Sequence, residues 1–204
     1  MLEISLLFIC GYLIGSIPFG LLLAYLGGYG DIRKIGSGNI GATNVLRTGN
    51  KILAFLTLVL DAGKGALAVA VLVFLNPALG ADPLGMTELA LFVGLGAILG
   101  HNFPVWLKFR GGKGVATTLG TLLAATPFAG AGACVVWLIS AVIFRYSSLS
   151  ALLALASAPI FTAYLHGAVA GFVTLIIALV GWIRHKDNIK RLINGEEPKI
   201  GQKK

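Results

Sequence analysis

The sequence predicts an all-α integral membrane protein, and three observations carry that prediction. Of 204 residues, 57% are hydrophobic and only 12% are charged, whereas soluble domains carry about 25% charged residues. The mean hydropathy is +0.90, and apolar runs near the ~20 residues a helix needs to cross hydrocarbon recur along the chain. Lys and Arg are gathered between those runs, as in loops that fix orientation in a bilayer.

Residues 3–26 form the first run. They have no basic stretch ahead of them and are too long for a signal-peptide core, so they are expected to stay in the protein as a span. Further spans are expected at 52–76, 87–107, 113–127, 128–145, 148–165 and 167–184. The run at 113–127 is short and rich in Gly, Ala and Thr, which suits a tilted or broken span. The 28 glycines fit such a bundle, since small residues let membrane helices approach closely. Cys10 and Cys134 lie inside apolar runs without metal-ligand spacing and read as small buried apolar residues.

With seven spans, fifteen of the sixteen Lys and Arg residues fall on one side. They occupy 27–51, 108–113, position 145 and the tail from 184, while 77–86, 126–129 and 166 hold none. The positive-inside rule then places the N-terminus outside and the C-terminus in the cytoplasm. The expected architecture is one polytopic domain over 1–204 with Gly-rich cytoplasmic loops. The net charge of +8 therefore reads as topology and anion binding, with no role for nucleic acid. The sixteenth cation, Lys64, lies within the second span three residues after Asp61, on the same helical face. The two form either a structural ion pair or part of a site lining, because ionisable groups at membrane depth usually face a bundle interior or a wet cavity.

Polar residues concentrate in three segments on the cytoplasmic side: G-S-G-N-I-G-A-T-N-V-L-R-T at 36–48, G-H-N-F-P-V-W-L-K-F-R-G-G-K-G-V-A-T-T at 100–118, and R-H-K-D-N-I-K-R-L-I-N-G at 184–195. Gly36, Gly38 and Gly41 match G-x-G-x-x-G, but no strand or βαβ unit is expected around them. Gly112-Lys113-Gly114 lacks the Ser or Thr of a P-loop, so both nucleotide readings fail. The chemistry that remains is anion binding. Glycines let backbone N–H groups converge on a phosphate. Ser37, Asn39, Thr43 and Asn44 add neutral donors, and Arg47 adds a planar fork. The second segment repeats the pattern with Arg110, Lys113, Thr117 and Thr118, which suggests two phosphate groups or one crowded polyanion. His101 and His185 sit at the same side. Arg184 and Lys186 beside His185 favour its neutral form, which can accept a proton or bond a hydroxyl. There is no metal cluster, no G-x-S-x-G elbow and no His-x4-Asp pair, so no metal or cofactor is expected.

These three segments, with G-S-I-P-F-G at 15–20 and D-A-G-K-G at 61–65, resemble the PlsY family, the bacterial acyl-phosphate:glycerol-3-phosphate acyltransferases. The resemblance covers nearly the whole chain. It implies seven spans in the cytoplasmic (inner) membrane and an active site at the cytoplasmic face. It also implies acyl transfer from acyl phosphate to the sn-1 hydroxyl of glycerol 3-phosphate, giving 1-acyl-glycerol 3-phosphate. Ser37, Arg47, His185 and Asn188 become catalytic candidates. Gly38, Asn39, Thr43, Asn44, Lys64, His101, Lys108, Gly112 and Lys113 become substrate-binding candidates. The implied partners are the two substrates, membrane lipid and the enzyme that forms acyl phosphate. His185 either takes the hydroxyl proton or orients the acceptor. An already activated donor favours orientation, and a base would show an acid limb near the ~6.5 of imidazole. A transporter of anionic solutes is the rival class, but only Asp61 and Lys64 are deep and no inverted repeat is evident. A non-catalytic scaffold would not need three polar clusters on one face.

Overall fold

The computed structural model describes residues 2–75 and 83–202, and these contain helices and short 3₁₀ turns but no strand. The first apolar run is two helices, α1 (Leu2–Gly15) and α2 (Phe19–Leu26). Pro18 between them has no N–H to continue the ladder. A 3₁₀ turn at Ile32–Lys34 and the one-turn helix α3 (Ala42–Val45) then lead to α4 (Lys51–Leu75). There follow α5 (Pro83–Asn102), α6 (Val115–Ala125), α7 (Pro127–Phe144), α8 (Ser147–His166), α9 (Ala168–Arg184) and α10 (Lys186–Ile193).

Helix α5 is the centre of the bundle. Two thirds (67%) of its apolar window is buried, against 22–44% for the other long apolar helices. Glycine makes this possible. A Cβ at Gly11 or Gly15 of α1 would strike the backbone of Val93 or Ala97, and one at Gly96 or Gly100 of α5 would strike that of Phe8 or Tyr12. The two helices thus meet backbone to backbone, the small-residue packing that membranes favour. Gly65 of α4 against Thr117, and Gly120 of α6 against Ala62, repeat the device. Leu91, Leu95, Ile98, Leu122, Ala133, Ala158, Ala170 and Ile177 close the centre. Large apolar side chains face outward elsewhere: Phe74, Phe128, Val142 and Tyr164 are each at least 78% exposed, a surface suited to lipid and not to water.

Several sequence expectations change. Five helical stretches are long and apolar enough to cross a membrane: Leu2–Leu26, Lys51–Phe74, Gly85–Leu107, Pro127–Phe144 and Ser147–His166. A sixth is possible only if α9 and α10, bent by 63° at His185, count together. The expected span at 113–127 is a helix of 11 residues, roughly 16 Å at 1.5 Å per residue and about half the hydrocarbon thickness. Thr117, Thr118 and Thr121 of this helix are buried against its neighbours, so they are packing residues and not loop donors. Cys10 is exposed on the apolar surface and Cys134 is half-buried, because both lie on outward faces of their helices. Residues 76–82, 203 and 204, and with them most of the basic-free 77–86 segment and Lys203 and Lys204, lie outside the described residues.

Candidate active site

The first polar loop is organised from within by Asn44. Its Nδ2 donates to the carbonyls of Ile32 (2.7 Å) and Asn39 (2.8 Å), and its Oδ1 accepts from the Ser37 N–H (3.1 Å) and Oγ (3.4 Å). With its amide committed on both sides and 1% exposed, Asn44 holds the loop from within. Gly36 and Gly38 have φ of 56° and 68°, the left-handed region where glycine is unstrained. At Gly36 space matters too: a side chain would collide with the Arg47 guanidinium and Asn44 Oδ1. Arg47 therefore lies across Gly36 on the surface of the loop. Asn39 Oδ1 accepts from the Ile40 N–H (2.8 Å), and Thr43 Oγ1 shares a hydrogen bond with Ser147 Oγ (3.3 Å).

The second loop leaves α5 at Asn102 and turns through Lys108 and Phe109, both at positive φ (52° and 61°). It is pinned to the broken first span: Tyr12 OH donates to the Phe103 carbonyl (2.6 Å) and Trp106 Nε1 donates to Ser16 Oγ (2.7 Å). The third segment clasps it from the other side. Arg184 Nε donates to Gly112 O and its Nη2 to Gly111 O, each at 3.0 Å, while the guanidinium stacks 5.0 Å from the Phe103 ring.

Beyond that clasp lies a charged network. Lys113 Nζ donates to Asn188 Oδ1. Asn188 Nδ2 donates to Glu197 Oε1 (2.6 Å), which also accepts from Ser148 Oγ (2.6 Å), and Arg191 Nε donates to Glu197 Oε2 (2.7 Å). Burial raises the Glu197 carboxyl, but the Ser148, Asn188 and Arg191 hydrogen bonds outweigh it and hold the group below its ordinary range. Burial pushes the Lys113 ammonium down to about 8. His185 caps α9, and its Nδ1 lies 2.7 Å from the Gly181 carbonyl. A carbonyl only accepts, so Nδ1 carries the proton and Nε2 is a free acceptor. Burial first, with Lys113 and Arg184 adding to it, pushes the imidazole down to about 4. His185 is thus neutral, as its sequence neighbours suggested, though chiefly because it is out of water.

One cleft of about 530 Å³ joins the three segments. Its lining is Gly38 from the first, with Arg33 from the 3₁₀ turn before it, Phe109, Arg110 and Gly111 from the second, and Arg184 from the third. Lys108 faces a neighbouring cleft of about 370 Å³ with Arg33, Trp106 and Arg110. Two expected ligands turn inward instead. Lys64 Nζ donates to Asp61 Oδ1 (2.7 Å) and to the Ile17 carbonyl (2.9 Å), so it braces the break between α1 and α2. His101 is buried against Asp61 and Gly112. Of the thirteen expected site residues only Gly38 lines the larger cleft itself. Lys113 lies two residues after the lining residue Gly111 and bonds Asn188, and His185 directly follows the lining residue Arg184. Arg33, Arg184, Ser148 and Glu197 were not among the candidates. The two arginines read as topology charges, and Glu197 lies past the third motif with no local pattern to mark it.

The family model described as glycerol-3-phosphate acyltransferase matches residues 5–195. A glycerol-3-phosphate acyltransferase of Paramagnetospirillum magneticum is 57% identical over 204 residues, covering 100% of this chain and 97% of that one. One from Rhodospirillum rubrum is 55% identical over 199 residues, covering 96% and 90%. Among solved structures, the glycerol 3-phosphate form of PlsY (YgiH), an integral membrane glycerol 3-phosphate acyltransferase, superposes with a TM-score of 0.86 at 38% identity, over 98% of this chain and 96% of that one. Its lysophosphatidic acid form gives 0.84 at 37% identity over the same shares. By sequence along its whole length and by fold, the chain belongs to the glycerol-3-phosphate acyltransferase family.

Proposed function

We propose that this membrane enzyme moves a fatty acyl group from acyl phosphate to the sn-1 hydroxyl of glycerol 3-phosphate, releasing phosphate, at the cytoplasmic face of a bacterial inner membrane. The observation that carries the reading is a basic cleft onto which all three polar segments open. Each substrate has a phosphate, and Arg110 offers a planar fork for such a group, while Arg33 and Arg184 add positive charge to the cleft with their Nε and Nη2 atoms held by Asp31 and by the Gly112 and Gly111 carbonyls. The glycerol hydroxyl oxygen attacks the acyl carbonyl carbon, the bond from that carbon to the phosphate oxygen breaks, and phosphate leaves with the electron pair. The hydroxyl proton goes to the departing phosphate or to His185 Nε2. A mixed anhydride is already activated, so the protein's contribution is position and charge stabilisation. Ser37 and Arg47 at the loop surface, with Gly112, Lys113 and Asn188, are the groups assigned to hold the acceptor and the developing oxyanion. That the relatives include glycerol 3-phosphate and lysophosphatidic acid forms of one enzyme supports the acceptor and product.

Purified protein given labelled glycerol 3-phosphate and acyl phosphate is expected to form lysophosphatidic acid with no divalent ion added. Robust use of acyl-CoA, or activity abolished by chelator and restored by a divalent ion, would overturn the donor and cofactor assignments. Uptake into sealed vesicles without lipid product would favour the transporter reading. Binding to the acyl-phosphate-forming enzyme is a separate expectation, checked by co-purification.

Arg47→Lys keeps the charge and loses the fork. A bidentate phosphate contact predicts a loss of about 10-fold or more in kcat/KM, about 1.4 kcal/mol. Near-native kinetics would reduce Arg47 to an orientation signal.

The proposed topology has seven crossings, with α6 as the short fourth, the N-terminus outside and the tail in the cytoplasm. In a variant lacking Cys10 and Cys134, Gly80→Cys and Glu196→Cys are expected to label from opposite sides of the membrane. Labelling from the same side would remove the seventh crossing.

A further inference from the structure

Three ionisable side chains sit within the bundle and line neither cleft: Asp61, Lys64 and His101, all at most 4% exposed. Such groups are costly at membrane depth and are usually kept for a purpose. Asp61 Oδ1 holds Lys64 Nζ and lies 3.6 Å from His101 Nδ1. That distance is too long for a hydrogen bond, so the second contact is electrostatic. Nδ1 is the ring nitrogen on the carboxylate side, and the Nε2 edge faces away from Asp61.

That edge lies against Gly112. A Cβ built on Gly112 would collide with Nε2 and press on Cε1 and Cδ2 of the same ring. Gly112 is not at positive φ, so glycine is required there for space and not for conformation. The residue is also fixed on its other sides: its N–H donates to the His101 carbonyl (3.0 Å) and its own carbonyl accepts from Arg184 Nε (3.0 Å). Lys113 follows directly.

We infer that His101 is a positioning residue whose imidazole, backed by Asp61, is the floor on which Gly112 rests, setting the place of the Gly111–Lys113 wall between the cleft and the Lys113–Asn188 network. The membrane-buried ion pair is thereby connected to the phosphate loop through one ring. His101 does not contact substrate in this account.

The test is a double-mutant cycle between Gly112→Ala and His101→Ala, read both as kcat/KM for glycerol 3-phosphate and as the thermal unfolding midpoint in detergent. Gly112→Ala is expected to lower kcat/KM by about tenfold or more in the native background. In the His101→Ala background it should cost less than about threefold, because the methyl enters the volume the ring vacated. The midpoint should show the same relief. His101→Asn, which keeps an N–H towards Asp61 while clearing the Nε2 position, is a second background with the same expectation. Equal penalties for Gly112→Ala in all backgrounds would overturn the inference. The kinetic readout rests on the acyl-transfer reading above. If the native protein transfers no acyl group, that reading falls while the midpoint cycle still decides whether the ring supports Gly112.

Discussion

Lys113→Met is expected to lower kcat/KM for glycerol 3-phosphate by about 10²-fold, or about 2.7 kcal/mol, with little change in the amount of folded protein in the membrane. The ammonium follows Gly111 and Gly112 directly in the chain and is held on Asn188, which is in turn fixed by Glu197. Removing it deletes a charge-assisted donor from the site proposed to receive phosphate. The pH dependence gives a sharper check. Burial brings Lys113 down to about 8, so the group is charged below that pH and loses its proton as pH rises through it. Anion binding should therefore fall on the alkaline side, with a limb near 8. Lys113→Arg stays charged far above that range. Whatever activity it retains should have its alkaline limb displaced upward or abolished. An unchanged limb in the Arg variant would show that another group titrates there and that Lys113 does not bind the anion as a cation.

His185→Ala is expected to cost about 10²-fold in kcat, the lower end of what a positioned acid–base or hydrogen-bonding group contributes. The structure changes what its pH profile should look like. An exposed imidazole acting as base would give an acid limb near ~6.5. Here burial pushes the ring down to about 4, and the Gly181 carbonyl keeps the proton on Nδ1. Nε2 should remain an acceptor across the whole neutral range, with any limb it causes lying near 4. If His185 takes the proton, that limb disappears in His185→Ala and His185→Asn is as poor as Ala. If it only orients the acceptor hydroxyl, His185→Asn retains measurable turnover. Direct titration of the ring by NMR, giving a value near 6.5, would contradict the buried, neutral assignment and return the base role to the form expected from sequence.

The sequence by itself determined the membrane class, the helical architecture, the three polar segments and the family, because each is a sum or a run along the chain. Hydropathy adds over ~20 residues whatever the neighbours do, and motifs such as 36–48 and 100–117 are contiguous. It also marked glycines that the fold uses, as at Gly36, where the Arg47 side chain lies across the backbone. What it did not decide is where each polar side chain points. Lys64 read either as the ion-pair partner of Asp61 or as part of a site lining; the structure shows the ion pair and adds the Ile17 carbonyl, 47 residues away, as a second partner. Arg184 looked like a topology charge, yet it closes on Gly111 and Gly112, more than 70 residues earlier. Asn44 spends its amide inside its own loop, and Glu197, past the end of the last motif, anchors Asn188. The length of α6 belongs to the same class: its apolar run continues to 127, but Thr126 and Pro127 end one helix and begin the next, since Pro supplies no N–H to extend the ladder and favours a first turn. A buried donor or acceptor must find a partner or remain costly. Which partner it finds depends on the elements packed around it, so tertiary structure alone decided that Lys64 would reach the Ile17 carbonyl, that His101 would lie against Gly112 and that Arg184 would close on the second polar loop.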